Sequence, residues 1–389
     1  MSSQRYIEPL VLTDLGRKMV FIAGPRQSGK TTFAEDLAQR NFPKRHLYLN
    51  WDAPRDRKRI LAQDWDAATE LIILDELHKY ARWKSWLKGV YDTSKTRHKF
   101  IVTGSARMDV YRRGGDSMLG RYHLWRLHPL SLQEVPAGIP INMALSRFMQ
   151  FGGFPEPFLA NDARFARRWR TDRYERVLHD DIRDLERIEQ LTQLEALVEQ
   201  LRARVASPIV AANLARDLEV APRTVQRWLA VLERMYLCFV VQPYSGKLSR
   251  TLSKPPKVYF YDNGDVLGDE GARFENLVAT HLLKRIQFLQ DSEGYKYELR
   301  YIRDKEGREA DFVVLKDGKV DELWEAKLTD ASPSPHLRYF AERIKPRRVY
   351  QVVHAEVPTR WHDNICVVAA SRILSSLAEV PTLLPADAA

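Results

Sequence analysis

At 389 residues, 44% hydrophobic and 29% charged, the chain has the composition of a soluble globular protein with room for about two to four domains. No apolar run reaches the roughly 20 residues of a membrane helix, and MSSQRYIEPL lacks the basic-then-apolar pattern of a secretory signal. Two cysteines, Cys238 and Cys366, exclude a disulfide framework and a zinc ribbon and fit a reducing cytoplasm. The net charge of +10 and pI near 9.4 make nucleic acid a reasonable partner, with Arg-rich helix surfaces as the plain alternative.

The first third alternates apolar runs with amphipathic stretches, the pattern of βα units on a parallel sheet. Strands are expected at Met19–Ala23, His46–Asn50, Leu71–Leu74 and Phe100–Val102. Between the first of these and a helical stretch, Thr32–Arg40, lies Gly24-Pro25-Arg26-Gln27-Ser28-Gly29-Lys30-Thr31-Thr32, a complete Walker A sequence in the context it needs. Its glycines let backbone N–H groups wrap the phosphates of ATP, and the helix N-terminus adds partial positive charge. Lys30 would face the β and γ phosphates, and Thr31 would ligate Mg²⁺.

Leu71-Ile72-Ile73-Leu74-Asp75-Glu76 reads as a buried parallel strand ending in two carboxylates. Asp75 would hold Mg²⁺ through water and Glu76 would act as general base; the alternative is two acids capping the next helix. The next strand ends in Thr103-Gly104-Ser105, so Thr103 or Ser105 would sit between the two Walker segments and orient the water. Arg121, in Leu119-Gly120-Arg121, is a candidate arginine finger. It would act on a neighbouring subunit's nucleotide, which implies a homo-oligomer, and its rivals are Arg107, Arg112, Arg113 and Arg126.

After Pro140 the chain turns helical, rich in Leu, Arg and Glu over 143–205 and interrupted at Gly152-Gly153-Phe154-Pro155. Residues 207–229 have helix-turn-helix spacing. Val210, Leu214 and Leu218 would face Val225 and Leu229, leaving Arg223, Gln226 and Arg227 exposed as in a DNA reader. Tyr236–Pro243 and Val258–Tyr261 would be wing strands. DNA contact and a purely structural use both remain open for this module.

The last third predicts a helix Gly271–Leu283, strands around 297–302, 310–315 and 320–328, and a helix after Ser334. Glu275, Asp311, Glu325 and Lys327 form an acid, acid-x-lysine pattern that resembles the PD-(D/E)XK nuclease core. Asp311 and Glu325 would ligate Mg²⁺, Glu275 would be an auxiliary ligand, and Lys327 would orient the water or steady the phosphate. The register decides this. A two-residue turn at Asp317-Gly318 pairs Asp311 with Trp324 and leaves Glu325 on the wrong face, whereas one extra residue or a bulge brings Asp311 opposite Glu325.

Taken in order, the Walker A sequence, Leu74-Asp75-Glu76, Thr103-Gly104-Ser105, Leu119-Gly120-Arg121, His128-Pro129-Leu130-Ser131 and Gly152-Gly153-Phe154-Pro155-Glu156 resemble the AAA+-related P-loop ATPases of bacteria and archaea. These carry an uncharacterised, nuclease-like C-terminal domain. The resemblance implies an α/β P-loop NTPase sheet at 1–140, a helical lid or linker at 141–205, a winged-helix-like module at 206–264 and a small α/β restriction-endonuclease-like domain at 265–389. The expected function is ATP hydrolysis with action on nucleic acid; the rival is an ATP-dependent scaffold or switch.

Overall fold

The computed structural model describes residues 5–104, 118–181, 190–245, 255–329 and 332–377. Ser105 and the rival arginines Arg107, Arg112 and Arg113 lie outside the described residues. The chain groups into two units, residues 1–129 with 234–236 and residues 130–233 with 237–389.

The first unit is an α/β domain. Strands β1 (Met19–Ala23), β2 (His46–Asn50), β3 (Leu71–Asp75), β4 (Lys99–Thr103) and β5 (Tyr122–Arg126) form one sheet in the order β2-β3-β4-β1-β5. All of its pairings are parallel. Helices α1 (Glu8–Leu15), α2 (Lys30–Asn41), α3 (Pro54–Ala62) and α4 (Trp83–Ser94) belong to the same unit. The apolar runs read from the sequence are the buried central strands: β1 and β3 are buried along their whole length, as parallel strands covered on both faces must be. Because β4 separates β1 from β3, the ends of the phosphate-loop strand, β4 and the acidic strand lie side by side in that order.

The second unit begins with helices α5 (Ile141–Phe151), α6 (Pro155–Ala160), α7 (Ala163–Glu175) and α8 (Leu191–Ala203). The interruption between α5 and α6 has a steric reason. Gly152 has φ 77°, and a Cβ there would lie 1.6 Å from Asp262 Oδ1. Asp262 accepts from Arg170 Nε at 3.1 Å, and Arg173 pairs with the buried Asp265 at 3.1 Å. Gly152-Gly153-Phe154-Pro155 is thus a close backbone approach that seats α7 against the 261–265 turn.

Helices α9 (Ala211–Asp217) and α10 (Pro222–Arg234) have the expected helix-turn-helix spacing. Leu214, Leu218, Val225 and Leu229 are buried, and Arg223, Gln226 and Arg227 are on the exposed side. Val210 departs from expectation: it precedes α9 and is 45% exposed. The two strands read as a wing, β6 (Cys238–Pro243) and β7 (Lys257–Phe260), pair antiparallel but also extend the C-terminal sheet, because β6 pairs with β8 through Gln242 and Pro243.

That sheet is mixed and has eight strands, in the order β12-β13-β11-β10-β9-β8-β6-β7. Its other members are β8 (Tyr297–Arg303), β9 (Glu309–Lys316), β10 (Lys319–Lys327), β11 (Arg348–Val353), β12 (Arg360–His362) and β13 (Ile365–Ala369). Helix α11 (Glu270–Glu293) extends ten residues past the expected end, and α12 (Pro335–Ile344) covers a core of Val313, Leu315, Leu323, Phe340 and Val349. Among the described residues no helix is long and apolar enough to cross a membrane.

His281 ties α11, which carries Glu275, to the segment after Leu130. Its Nε2 accepts from the Leu132 N–H at 3.1 Å, and its Nδ1 donates to Leu277 O at 2.8 Å. Burial pushes the imidazole down from 6.5 to about 4. A protonated ring would lose the Leu132 acceptor, so the unfolded chain takes up a proton first, and stability falls as pH drops from 6.5 to about 4. This shift is equivalent to about 3 kcal/mol. Denaturant unfolding at pH 7 and pH 4.5 should show wild type losing about 2 kcal/mol more than His281→Gln; equal losses would contradict the assignment.

Candidate nucleotide site and C-terminal carboxylate cluster

The loop from β1 into α2 needs unusual backbone at both glycines. Gly24 has φ 152°, and a Cβ on it would lie 2.2 Å from Leu127 O. Gly29 has φ 88° and caps α2. Between them, Ser28 N–H donates to Pro25 O at 3.3 Å, and Lys30 Nζ donates to Gly24 O at 3.1 Å and Pro25 O at 2.7 Å. The ammonium therefore lies across the loop itself. Arg26 and Gln27 are half-buried and Thr32 is exposed. Ser28 Oγ and Gln27 Oε1 are buried and have no hydrogen-bond partner among the described residues. Unsatisfied polar atoms in a glycine-framed loop at a helix N-terminus are what a phosphate ligand would satisfy.

Asp75 is the centre of the acidic side. Its carboxylate is buried, and three hydroxyls converge on it: Thr31 at 2.9 Å and Tyr48 at 2.7 Å on Oδ2, and Thr103 on Oδ1. Thr103, expected to orient water, is committed to Asp75. Tyr48 was not singled out by its sequence; it ends up here because β2 pairs with β3 in register, Tyr48 opposite Ile73. Burial, with Asp75 beside it, pushes the Tyr48 phenol up, so it stays a donor. Thr31 and Asp75, both oxygen donors on one point, fit a Mg²⁺ ion held with water.

Glu76 follows with φ 55°, a left-handed conformation that costs a non-glycine residue free energy and is common at functional sites. Burial raises its carboxyl above the usual range, opposed by Lys79, whose Nζ is 3.4 Å from Oε2. A raised carboxyl is a better proton acceptor than a free one. Arg121 donates to both oxygens of Asp92 on α4, at 2.8 and 3.0 Å. Arg5, unremarked in the sequence, is buried and donates to Ser28 O at 3.4 Å and to His128 O, clamping the phosphate loop.

In the C-terminal sheet the hairpin has both features weighed from sequence. Lys316 pairs with Lys319 across a two-residue turn, and then a bulge at Asp321 shifts the register, so that Glu322 pairs with Val314 and Trp324 with Phe312. Continued by one residue, that register sets Asp311 opposite Glu325, and the Asp311 charge acts on the Glu325 carboxyl. Asp311 Oδ2 accepts from Ala326 N–H at 2.8 Å, and Lys327 Nζ lies 2.9 Å from Glu325 Oε1. Glu325 Oε2 is buried without a hydrogen-bond partner among the described residues.

Burial, then the Asp311 charge, pushes Glu325 up to about 8 and Glu275 up to about 7. Carboxylates crowded in this way favour a shared cation. Glu275, expected as an auxiliary ligand, has its Oε1 engaged by Lys257 at 3.0 Å and Tyr259 at 2.6 Å. Among the described residues no group of three or more His, Cys, Asp or Glu side chains is placed to hold a metal ion. The Asp311–Glu325 pair with its orphaned oxygen fits one hard cation that keeps most of its water.

Comparison with known proteins places the first unit. Residues 16–136 match an AAA domain family. Residues 142–266 and 270–373 match two domains of unknown function, DUF8612 and DUF4143. An uncharacterized protein of Mycobacterium tuberculosis is 27% identical over 92% of this chain and 81% of its own length. One of Methanocaldococcus jannaschii is 21% identical over 86% and 80%. Among solved structures, the Walker-type ATPase PABY2304 of Pyrococcus abyssi has a TM-score of 0.41 at 14% identity, covering 68% of this chain and 95% of that one. The Aeropyrum pernix ORC1 protein in complex with DNA has a TM-score of 0.33 at 13% identity, over 73% and 94%. The AAA domain match and the Walker geometry support ATP binding and hydrolysis by an AAA+-type P-loop unit.

Gly24→Ala tests the loop geometry. The added methyl collides with the Leu127 carbonyl, so ATP affinity should fall at least about tenfold with far-UV circular dichroism unchanged. Wild-type affinity in that variant would contradict the close approach.

Proposed function

We propose that this protein hydrolyses ATP in a homo-oligomer and uses the cycle to act on nucleic acid through its second unit. The hydroxyl-braced Asp75 beside the phosphate loop is the observation that carries the ATPase part. Gly24 to Thr32 bind the phosphates, and Lys30 leaves the Gly24 and Pro25 carbonyls to face the γ-phosphate. Thr31 and Asp75 hold Mg²⁺, which when bound neutralises phosphate charge. Thr103 and Tyr48 keep Asp75 aimed, and Glu76 accepts the proton of the attacking water. Arg121 exchanges Asp92 for a neighbouring subunit's nucleotide.

For the second unit, the basic balance of the chain and the exposed Arg223, Gln226 and Arg227 support contact with a polyanion. Asp311 and Glu325 would hold Mg²⁺, which would supply Lewis-acid stabilisation of a phosphate, with Lys327 beside them. A second reading, an ATP-driven switch whose second unit contacts only protein, draws on the ion pairing of Glu275 and Glu309 to Lys257.

Steady-state turnover and nucleotide titration test the ATPase reading together. Lys30→Ala should reduce hydrolysis to background, because it removes the charge facing the transferred phosphate. Glu76→Gln should hold ATP within about threefold of wild type while turnover falls roughly hundredfold. Hydrolysis undiminished in Lys30→Ala would refute the site, and a Glu76→Gln variant that loses nucleotide affinity would refute the role given to Glu76.

A further inference from the structure

Lys257, on β7, has a side chain only 1% exposed. A buried ammonium is tolerated only when paired, and this one is paired twice, to Glu275 Oε1 at 3.0 Å and to Glu309 Oε1 at 2.5 Å. Arg303 lies 3.5 Å from the other oxygen of Glu309, and the Tyr259 hydroxyl shares Glu275 Oε1. The Lys257 charge also faces Asp311. Beyond Asp311, across the strand pair, lies Glu325, whose Oε2 is buried and has no hydrogen-bond partner among the described residues. The cluster thus has four carboxylates: Glu275 and Glu309 are drawn to the buried Lys257 ammonium, Glu325 holds Lys327 through one oxygen, and Asp311 faces Glu325.

We infer that Lys257, the buried ammonium on the Glu275 and Glu309 side of this cluster opposite the half-buried Lys327, sets how tightly the Asp311–Glu325 pair holds a divalent ion. The inference rests on the reading of that pair as a metal site. An ammonium in the same carboxylate shell repels a doubly charged ion and holds Glu275 and Glu309 away from it. Removing the charge while keeping an apolar stem of similar length leaves, among the described residues, Glu275 with only the Tyr259 hydroxyl and Glu309 with only the more distant Arg303, and a divalent ion then compensates the deficit. Glu275 becomes a ligand only when Lys257 is withdrawn.

Calorimetric titration of Mn²⁺ into the nucleotide-free full chain tests this, with Asp311→Asn identifying the heat that belongs to the cluster. Lys257→Met should bind Mn²⁺ at least about tenfold more tightly than wild type, and Lys257→Arg, which keeps the charge, should stay within about threefold of it. Adding Asp311→Asn to Lys257→Met should abolish the gain. Should Lys257→Met not fold, Lys257→Gln, whose amide still donates to Glu275, is read the same way. Equal affinities in wild type and Lys257→Met, both sensitive to Asp311→Asn, would overturn the role of Lys257 and leave the metal pair standing. No heat sensitive to Asp311→Asn in any variant would overturn the metal pair and this inference together.

Discussion

A carboxylate removed from water at the end of a strand is costly unless several donors meet it, and in the first unit that constraint falls on Asp75. It is met by hydroxyls from three elements: Thr31 at the start of α2, Tyr48 on β2 and Thr103 at the end of β4. Each depends on the parallel order β2-β3-β4-β1, and the same order brings the phosphate loop to the edge where Asp75 ends. Thr31 and Tyr48 share Oδ2 and Thr103 holds Oδ1, so both carboxylate oxygens are engaged.

The parts of this site that were legible in the sequence are local. A strand, a glycine-framed loop and a helix in direct succession identify Gly24 to Thr32, and a fully apolar run ending in acids identifies Asp75 and Glu76. Tyr48 and Arg5 were not legible, because nothing in their own neighbourhoods marks them; strand pairing and a buried guanidinium place them. Strand β5 escaped notice for a related reason. Tyr-His-Leu-Trp-Arg mixes polar and apolar residues, as an outer strand of the sheet can, and among the described residues it pairs with β1 alone.

In the second unit the sequence stated the right question about Asp311 and Glu325 without answering it. The turn type was legible from Asp317-Gly318, but the Asp321 bulge that restores the register was not, since a bulge is decided by packing along the sheet. The wing strands were found but their destination was not: β6 and β7 join the large mixed sheet, and β7 brings Lys257 to the carboxylates. Conversely, Gly152-Gly153-Phe154-Pro155 stood out as a motif, and its role lies in sterics, a glycine forced by Asp262 rather than by a ligand.

The central claim is that Asp75, braced by its hydroxyls, is the point where a metal ion joins the bound nucleotide. Asp75→Asn preserves the size of the side chain and removes the charge. ATP affinity of wild type and variant, each measured with Mg²⁺ and with a chelator, isolates that contribution. The account predicts tighter binding with Mg²⁺ in wild type, and in Asp75→Asn an affinity that no longer responds to Mg²⁺ but matches wild type in chelator. A Mg²⁺ response in Asp75→Asn as large as in wild type would contradict it.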